Sequence, residues 1–120
     1  MVSAIHALKA AGEIDAGLAV VEAEFETWQN SPDFLFVMGD LYLEHASRHP
    51  EAAIQDHLPM VEWCWTRCLE VGDQDRLEGS VRGRGSHMAA YNLSILYGTL
   101  GLADKAEHFA AMASRMRGEA

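Results

Sequence analysis

Leu35-Phe36-Val37-Met38-Gly39-Asp40-Leu41-Tyr42 and Ala90-Tyr91-Asn92-Leu93-Ser94-Ile95-Leu96-Tyr97 share one skeleton. Each carries an apolar or small residue, two variable positions, a large apolar residue beside a small one, two more variable positions and a tyrosine. On a helix these positions recur at three- and four-residue spacing and fall on one face. The small residue one turn before the tyrosine lets a partner helix come close, and the ring fills the space beneath the turn. Each copy is followed by a second apolar helix. The chain therefore reads as repeated helix pairs.

The same spacing extends outward in both directions. Val61 and Trp65 suit the second helix of the middle unit, with Cys68 in the next small slot, and Ala106, Ala110 and Ala113 suit the last. Before Pro32 lies a first unit, with Ile5 and Leu8 on one helix, Gly12 at the turn, and Gly17 and Val21 on the next. Together these motifs resemble the tetratricopeptide repeat, a ~34-residue helix–turn–helix unit with W-x2-L-G-x2-Y and A-x3-F signatures. Ser94 stands where the repeat has glycine. Gly12 and Gly101 are 89 residues apart, about 21 more than two ~34-residue periods, which calls for two insertions, near Glu51–Met60 and Asp75–Ser86. The resemblance implies an all-α domain over residues 1–120, a right-handed superhelix of about three antiparallel helix pairs. Its degenerate repeats run over about 1–31, 32–75 with an insertion, and 86–116, with a glycine-rich connection at about 72–86.

Apolar spacing and helix breakers predict helices near 2–11, 14–28, 33–47, 59–71, 87–100 and 103–116, with a short helical turn after Pro50. Pro32, Pro50 and Pro59 suit first helical turns, and Asp15, Ser31 and Ser86 are the expected N-caps. No segment alternates at period two, so no sheet is expected.

Composition bounds the function. The 120 residues are 49% hydrophobic and 22% charged, with a net charge of −9, which describes one domain that repels polyanions and excludes nucleic acid as a partner. No leader pattern and no apolar run of the ~20 residues needed to cross a bilayer is evident, so a cytoplasmic protein is expected. Cys64 and Cys68 lie one turn apart on a helix and project in parallel, which predicts free thiols.

The connecting stretch Gly79-Ser80-Val81-Arg82-Gly83-Arg84-Gly85-Ser86-His87-Met88 has several readings. It lacks the preceding strand and the lysine of a phosphate loop. Its GSHM resembles the remnant of a cleaved tag, yet it runs directly into the Ala90–Tyr97 helix and is native to it. The glycines predict a mobile crossing between repeats. Arg76, Arg82 and Arg84 concentrate positive charge there, and Arg82 and Arg84 are candidate anion contacts. Replacing those two by alanine is expected to change stability by less than about half a kcal/mol, as for exposed residues. The run from Trp63 through this loop to Gly101 also resembles the tetratricopeptide segment attached to some bacterial family 2 glycosyltransferases, a likeness that covers about residues 31–116. That likeness implies an accessory role in positioning acceptor or in assembly, with the catalytic domain absent from this chain.

Catalytic chemistry is not legible. His45, His49, Glu44, Asp56 and His57 could be weighed as a zinc or nickel set, but they lack H-E-x-x-H, and a solvated helix end accounts for them, so no metal is expected. Cys64 and Cys68 read as packing residues beside Trp65, with a thiol- or metal-dependent enzyme or sensor as the remote alternative. Trp63 and Trp65 face different sides of their helix, so one fills the core and the other lies against the Glu51–Met60 insertion. No cofactor is expected. The expected function is a non-catalytic scaffold that binds a protein or peptide, its groove lined by Phe36, Asp40 and Leu43 in the middle unit and Tyr91, Asn92 and Ile95 in the last. The apolar Leu102, Phe109, Met112 and Met116 point to a homodimer through the last helix or to continuation into further sequence.

Overall fold

The computed structural model describes residues 2–52, 56–74 and 81–118, and no strand occurs among them. The elements are α1 (Val2–Ala10), α2 (Ile14–Trp28), α3 (Pro32–Arg48), the single turn α4 (Pro50–Ala52), α5 (Leu58–Val71), α6 (His87–Thr99) and α7 (Ala103–Met116). α1 packs on α2, both pack on α3, α3 packs on α5, α5 on α6, and α6 on α7. Three helix pairs, α1/α2, α3/α5 and α6/α7, thus follow one another along the chain. The slab they form is 23 Å thick, which suits two layers of helices each ~10–12 Å across.

Chain entry into the helices follows local chemistry, with two departures from expectation. Ser31 caps α3 by accepting the Phe34 N–H at 3.2 Å, and Pro32 occupies the first turn, where its missing N–H costs nothing. Asp15 and Ser86 do not cap. α2 is entered through Glu13 without a side-chain cap, leaving Asp15 in the first turn, and the Ser86 hydroxyl is committed to Asp73.

The turns inside the first and last pairs are the same structure. Glu13 N–H bonds Leu8 C=O and Gly12 N–H bonds Lys9 C=O; Leu102 N–H bonds Tyr97 C=O and Gly101 N–H bonds Gly98 C=O. These are paired Schellman closures, with Gly12 at φ +80° and Gly101 at φ +78°, the left-handed conformation glycine adopts without penalty. In the middle pair, alignment of Tyr42 with Tyr97 puts Ala46 at the place of Gly101. Alanine does not break the helix, so α3 runs on to Arg48, and the single turn α4 follows it before α5.

The core is continuous through the pairs. Phe34, Leu35, Leu41, Val61 and Leu93 are completely buried, with Ile5 and Val21 at 1% exposure. Within it Gly39 admits Trp65 at close range: a Cβ added to the backbone there would collide with Trp65 Nε1. The indole lies flat enough on α3 to donate its N–H to Phe36 C=O at 3.2 Å. Tyr97 joins the last two pairs: its hydroxyl donates to Glu62 on α5, and Phe109 of α7 stacks on its ring at 5.5 Å. Phe109 is thereby half-buried within the chain, while Leu102 and Met116 remain exposed.

These contacts separate two glycines that look alike in sequence. Gly39→Ala should destabilise the fold, because the Trp65 ring is buried and hydrogen-bonded and overpacking costs about 1–3 kcal/mol against a helix-propensity gain of about 1 kcal/mol. At Gly98 an added Cβ would meet only the Ala106 Cβ, at 3.9 Å, so Gly98→Ala should stabilise by about 0.4–1 kcal/mol. Urea denaturation of the two variants checks both signs.

Candidate functional site

Residues 81–86, the described part of the connection into α6, form a polar clasp that holds the chain against α3 and the end of α5; the rest of the crossing whose glycines predict mobility, 75–80, lies outside the described residues. Asp33, in the first turn of α3 and 2% exposed, accepts the Val81 N–H at 2.5 Å and the Arg84 Nη1 at 3.2 Å. Arg84 exposes only 15% of its side chain and lies 5.8 Å over the Phe36 ring, while its Nε is buried without a hydrogen-bond partner among the described residues. A second carboxylate, Asp73, accepts Gly83 N–H at 3.1 Å, Gly85 N–H at 2.7 Å and the Ser86 hydroxyl at 2.9 Å. Gly85 sits so close to the preceding chain that a Cβ would be 2.5 Å from Gly72 C and Asp73 N. Glycine here permits backbone contact as well as flexibility.

The expectation that Arg84 could be removed without consequence is therefore corrected. Its anion is supplied from within the fold, and removing it would leave Asp33 buried without its counter-charge, among the costly single changes. Arg82 is exposed and borders a surface depression of about 590 Å³ with Asp73, His87 and Arg117. Arg76 and the rest of 75–80 lie outside the described residues. Neither Asp33 nor Asp73 stands out in the sequence: one follows Ser31-Pro32 as an ordinary first-turn acid, the other follows Gly72 at a helix end. No local signal marks either one, because the Asp33 partner Arg84 is 51 residues away and Asp73 takes its hydrogen bonds from Gly83, Gly85 and Ser86.

Five of the six expected groove residues border one cleft of about 440 Å³: Asp40 and Leu43 from α3, and Tyr91, Asn92 and Ile95 from α6. Leu43, Tyr91 and Ile95 are exposed, at 39%, 49% and 54%. Trp65 and Leu58 of α5 add to its lining, a contribution that the repeat pattern, which assigns second helices to the outer layer, does not suggest. Phe36 is the exception. It is 7% exposed, packed beside Trp65 at 6.5 Å between ring centroids and covered by Arg84, so it supports the site from beneath.

Asp40 is the carboxylate among the described lining residues of this cleft. Burial pushes its carboxyl above the ordinary aspartate value, partly offset by the charges of Lys9, Arg84 and His6. Two of these belong to α1, so the first helices of all three pairs act on one site.

The remaining candidates fall elsewhere. His45 stacks near His49 and His57, at 4.4 Å between centroids in each case, and its pKa is lowered by burial and then by the two neighbouring imidazoles. No group of three or more His, Cys, Asp or Glu among the described residues is arranged to hold a metal. Cys64 and Cys68 are free and buried; burial pushes the Cys64 thiol up to about 12 and raises Cys68 as well, which leaves both as poor nucleophiles at neutral pH. Cys68 donates its S–H to Pro32 C=O at 3.4 Å, a packing role. Trp65 fills the core, and Trp63 is 43% exposed beside Met60 and Asp56 of the insertion.

Compared with protein families, with curated proteins and with solved structures, the chain matches none. No helix among the described residues is long and apolar enough to cross a membrane.

The Asp40 shift has a definite sign in stability. Because the folded state favours the protonated acid, the Asp40 contribution is fully present below the unfolded value of about 3.9 and is lost as pH rises through the higher folded pKa. Asp40→Asn, which mimics the neutral acid, should therefore be more stable than the parent at pH 7, and the advantage should shrink as pH falls through the raised folded pKa and be gone below about pH 4. Thermal melts of both proteins across this range test it; an advantage that grows on acidification would contradict the burial argument.

Proposed function

We propose that the chain is a non-catalytic binding scaffold of the tetratricopeptide kind, its helix pairs presenting the cleft between α3 and α6 to an extended or helical peptide segment. The observation that carries this reading is the convergence of Asp40, Leu43, Tyr91, Asn92 and Ile95, drawn from equivalent faces of two repeat units, on a single cleft. The matched Schellman turns of the first and last pairs support a repeat origin. So does the packing of each pair on the next.

The cleft suits a peptide better than a reaction. Leu43, Tyr91 and Ile95 offer exposed apolar surface for side-chain anchors, while Asp40 and Asn92 can meet polar backbone or a basic residue. Among the described residues, no nucleophile–base pair borders it. The buried Trp65 beneath gives a rigid base, because its indole N–H is fixed on Phe36 C=O.

Selection of a random peptide library on the full chain tests the assignment. Enriched peptides should carry apolar anchors, and Tyr91→Ala or Ile95→Ala should weaken their binding by about 1–3 kcal/mol with helical content unchanged. Peptides that bind these variants as well as the parent would place recognition on another surface.

A further inference from the structure

On the side of α5 opposite Trp65 lies a larger cavity, of about 600 Å³, that the peptide cleft does not use. It opens between α2 and α5 above Tyr42 of α3. Its aromatic wall is Phe25, Tyr42 and Trp63, with Phe25 and Trp63 meeting at 5.9 Å between centroids and 40° between planes. This tilt makes a corner in place of a closed stack. Trp63 remains 43% exposed although its neighbour Trp65 is almost fully buried.

The charge of the cavity is one-sided. Glu22 and Asp56 border it, and no Lys, Arg or His is among its described lining residues. The Tyr42 hydroxyl registers this field: its pKa is raised by burial first and by the Glu22 carboxylate next. Aromatic faces are electron-rich and attract cations, most strongly for tryptophan. Carboxylates at the rim add a longer-range attraction without supplying a buried counter-ion.

We propose that this cavity binds a small organic cation with an apolar body, of the quaternary-ammonium or N-alkylated amine class. An N-alkylated cation is weakly hydrated and can leave water for aromatic faces, whereas a primary ammonium must give up strong hydration. A carboxylate ligand meets Glu22 and Asp56. A neutral apolar ligand gains burial but nothing from the charge. The volume lies within the usual range for small-molecule sites, about 300–1,000 Å³. The cavity is independent of the peptide cleft, since no described residue lines both.

The test uses three probes of similar size, benzyltrimethylammonium, benzyl alcohol and phenylacetate, titrated into the full chain while the indole N–H resonances of Trp28, Trp63 and Trp65 are followed by NMR. Benzyltrimethylammonium should shift the Trp63 resonance saturably, with the other two indoles little changed, and should bind at least about tenfold more tightly than benzyl alcohol. Phenylacetate should bind most weakly. Glu22→Gln should reduce the cation's affinity several-fold and leave benzyl alcohol unaffected, and Trp63→Leu should abolish the preference. Equal affinity for the cation and the alcohol would overturn the proposal, as would no saturable Trp63 shift. A Trp63 resonance that moves with protein concentration and not with the cation would overturn it in another way, by showing that a second copy of the chain covers the cavity.

Discussion

One buried carboxylate, Asp33, fixes how the last helix pair meets the rest of the molecule. Its position in the first turn of α3 places it where the helix dipole favours a negative charge, and it receives the Val81 N–H and the Arg84 guanidinium from the connection into α6. An ion this deeply buried is tolerated only when its partners are in place. The same arginine lies over Phe36 and completes the packing around Trp65. Asp73 secures the other side of the connection through Gly83, Gly85 and Ser86. α6 consequently starts from a defined point beside the N-terminus of α3.

The cleft follows from that anchoring. α6 packs on α5 and α7, so a space remains between α3 and α6, with Trp65 and Leu58 contributing to its lining. Trp65 can occupy its place because Gly39 presents no side chain to it. The glycine of the Met38-Gly39 motif, the tryptophan of the following helix and the Asp33–Arg84 pair thus act in series: the first admits the ring, the second spaces the helices, and the third holds their ends.

Much of this is legible from spacing. The helix pairs, the turn glycines at Gly12 and Gly101, the Ser31 cap and the split between Trp63 and Trp65 all follow from local rules of period, backbone conformation and side-chain size. What escapes is long-range and polar. Glycines in the connection read as freedom because nothing local reveals that Gly85 lies against the backbone of Gly72 and Asp73. Arg84 reads as a surface charge because its partner is 51 residues away. Helical position puts Phe36 on the groove side of α3, but the arginine that covers it arrives from another part of the chain. Hydrophobic periodicity places a residue on a face; it does not say what crosses that face.

Whether Asp33 and Arg84 hold the last helix pair through their charges is measured by a double-mutant cycle, with urea denaturation of Asp33→Asn, Arg84→Met and the double variant. Methionine preserves an apolar stem over Phe36, and asparagine preserves an acceptor for Val81, so the cycle isolates the charge pairing. Each single change should cost more than the half kcal/mol or so typical of exposed sites, and the double variant should lose less than the sum by about 1 kcal/mol or more. Additive effects, with both single variants within about half a kcal/mol of the parent, would contradict that role of the pair.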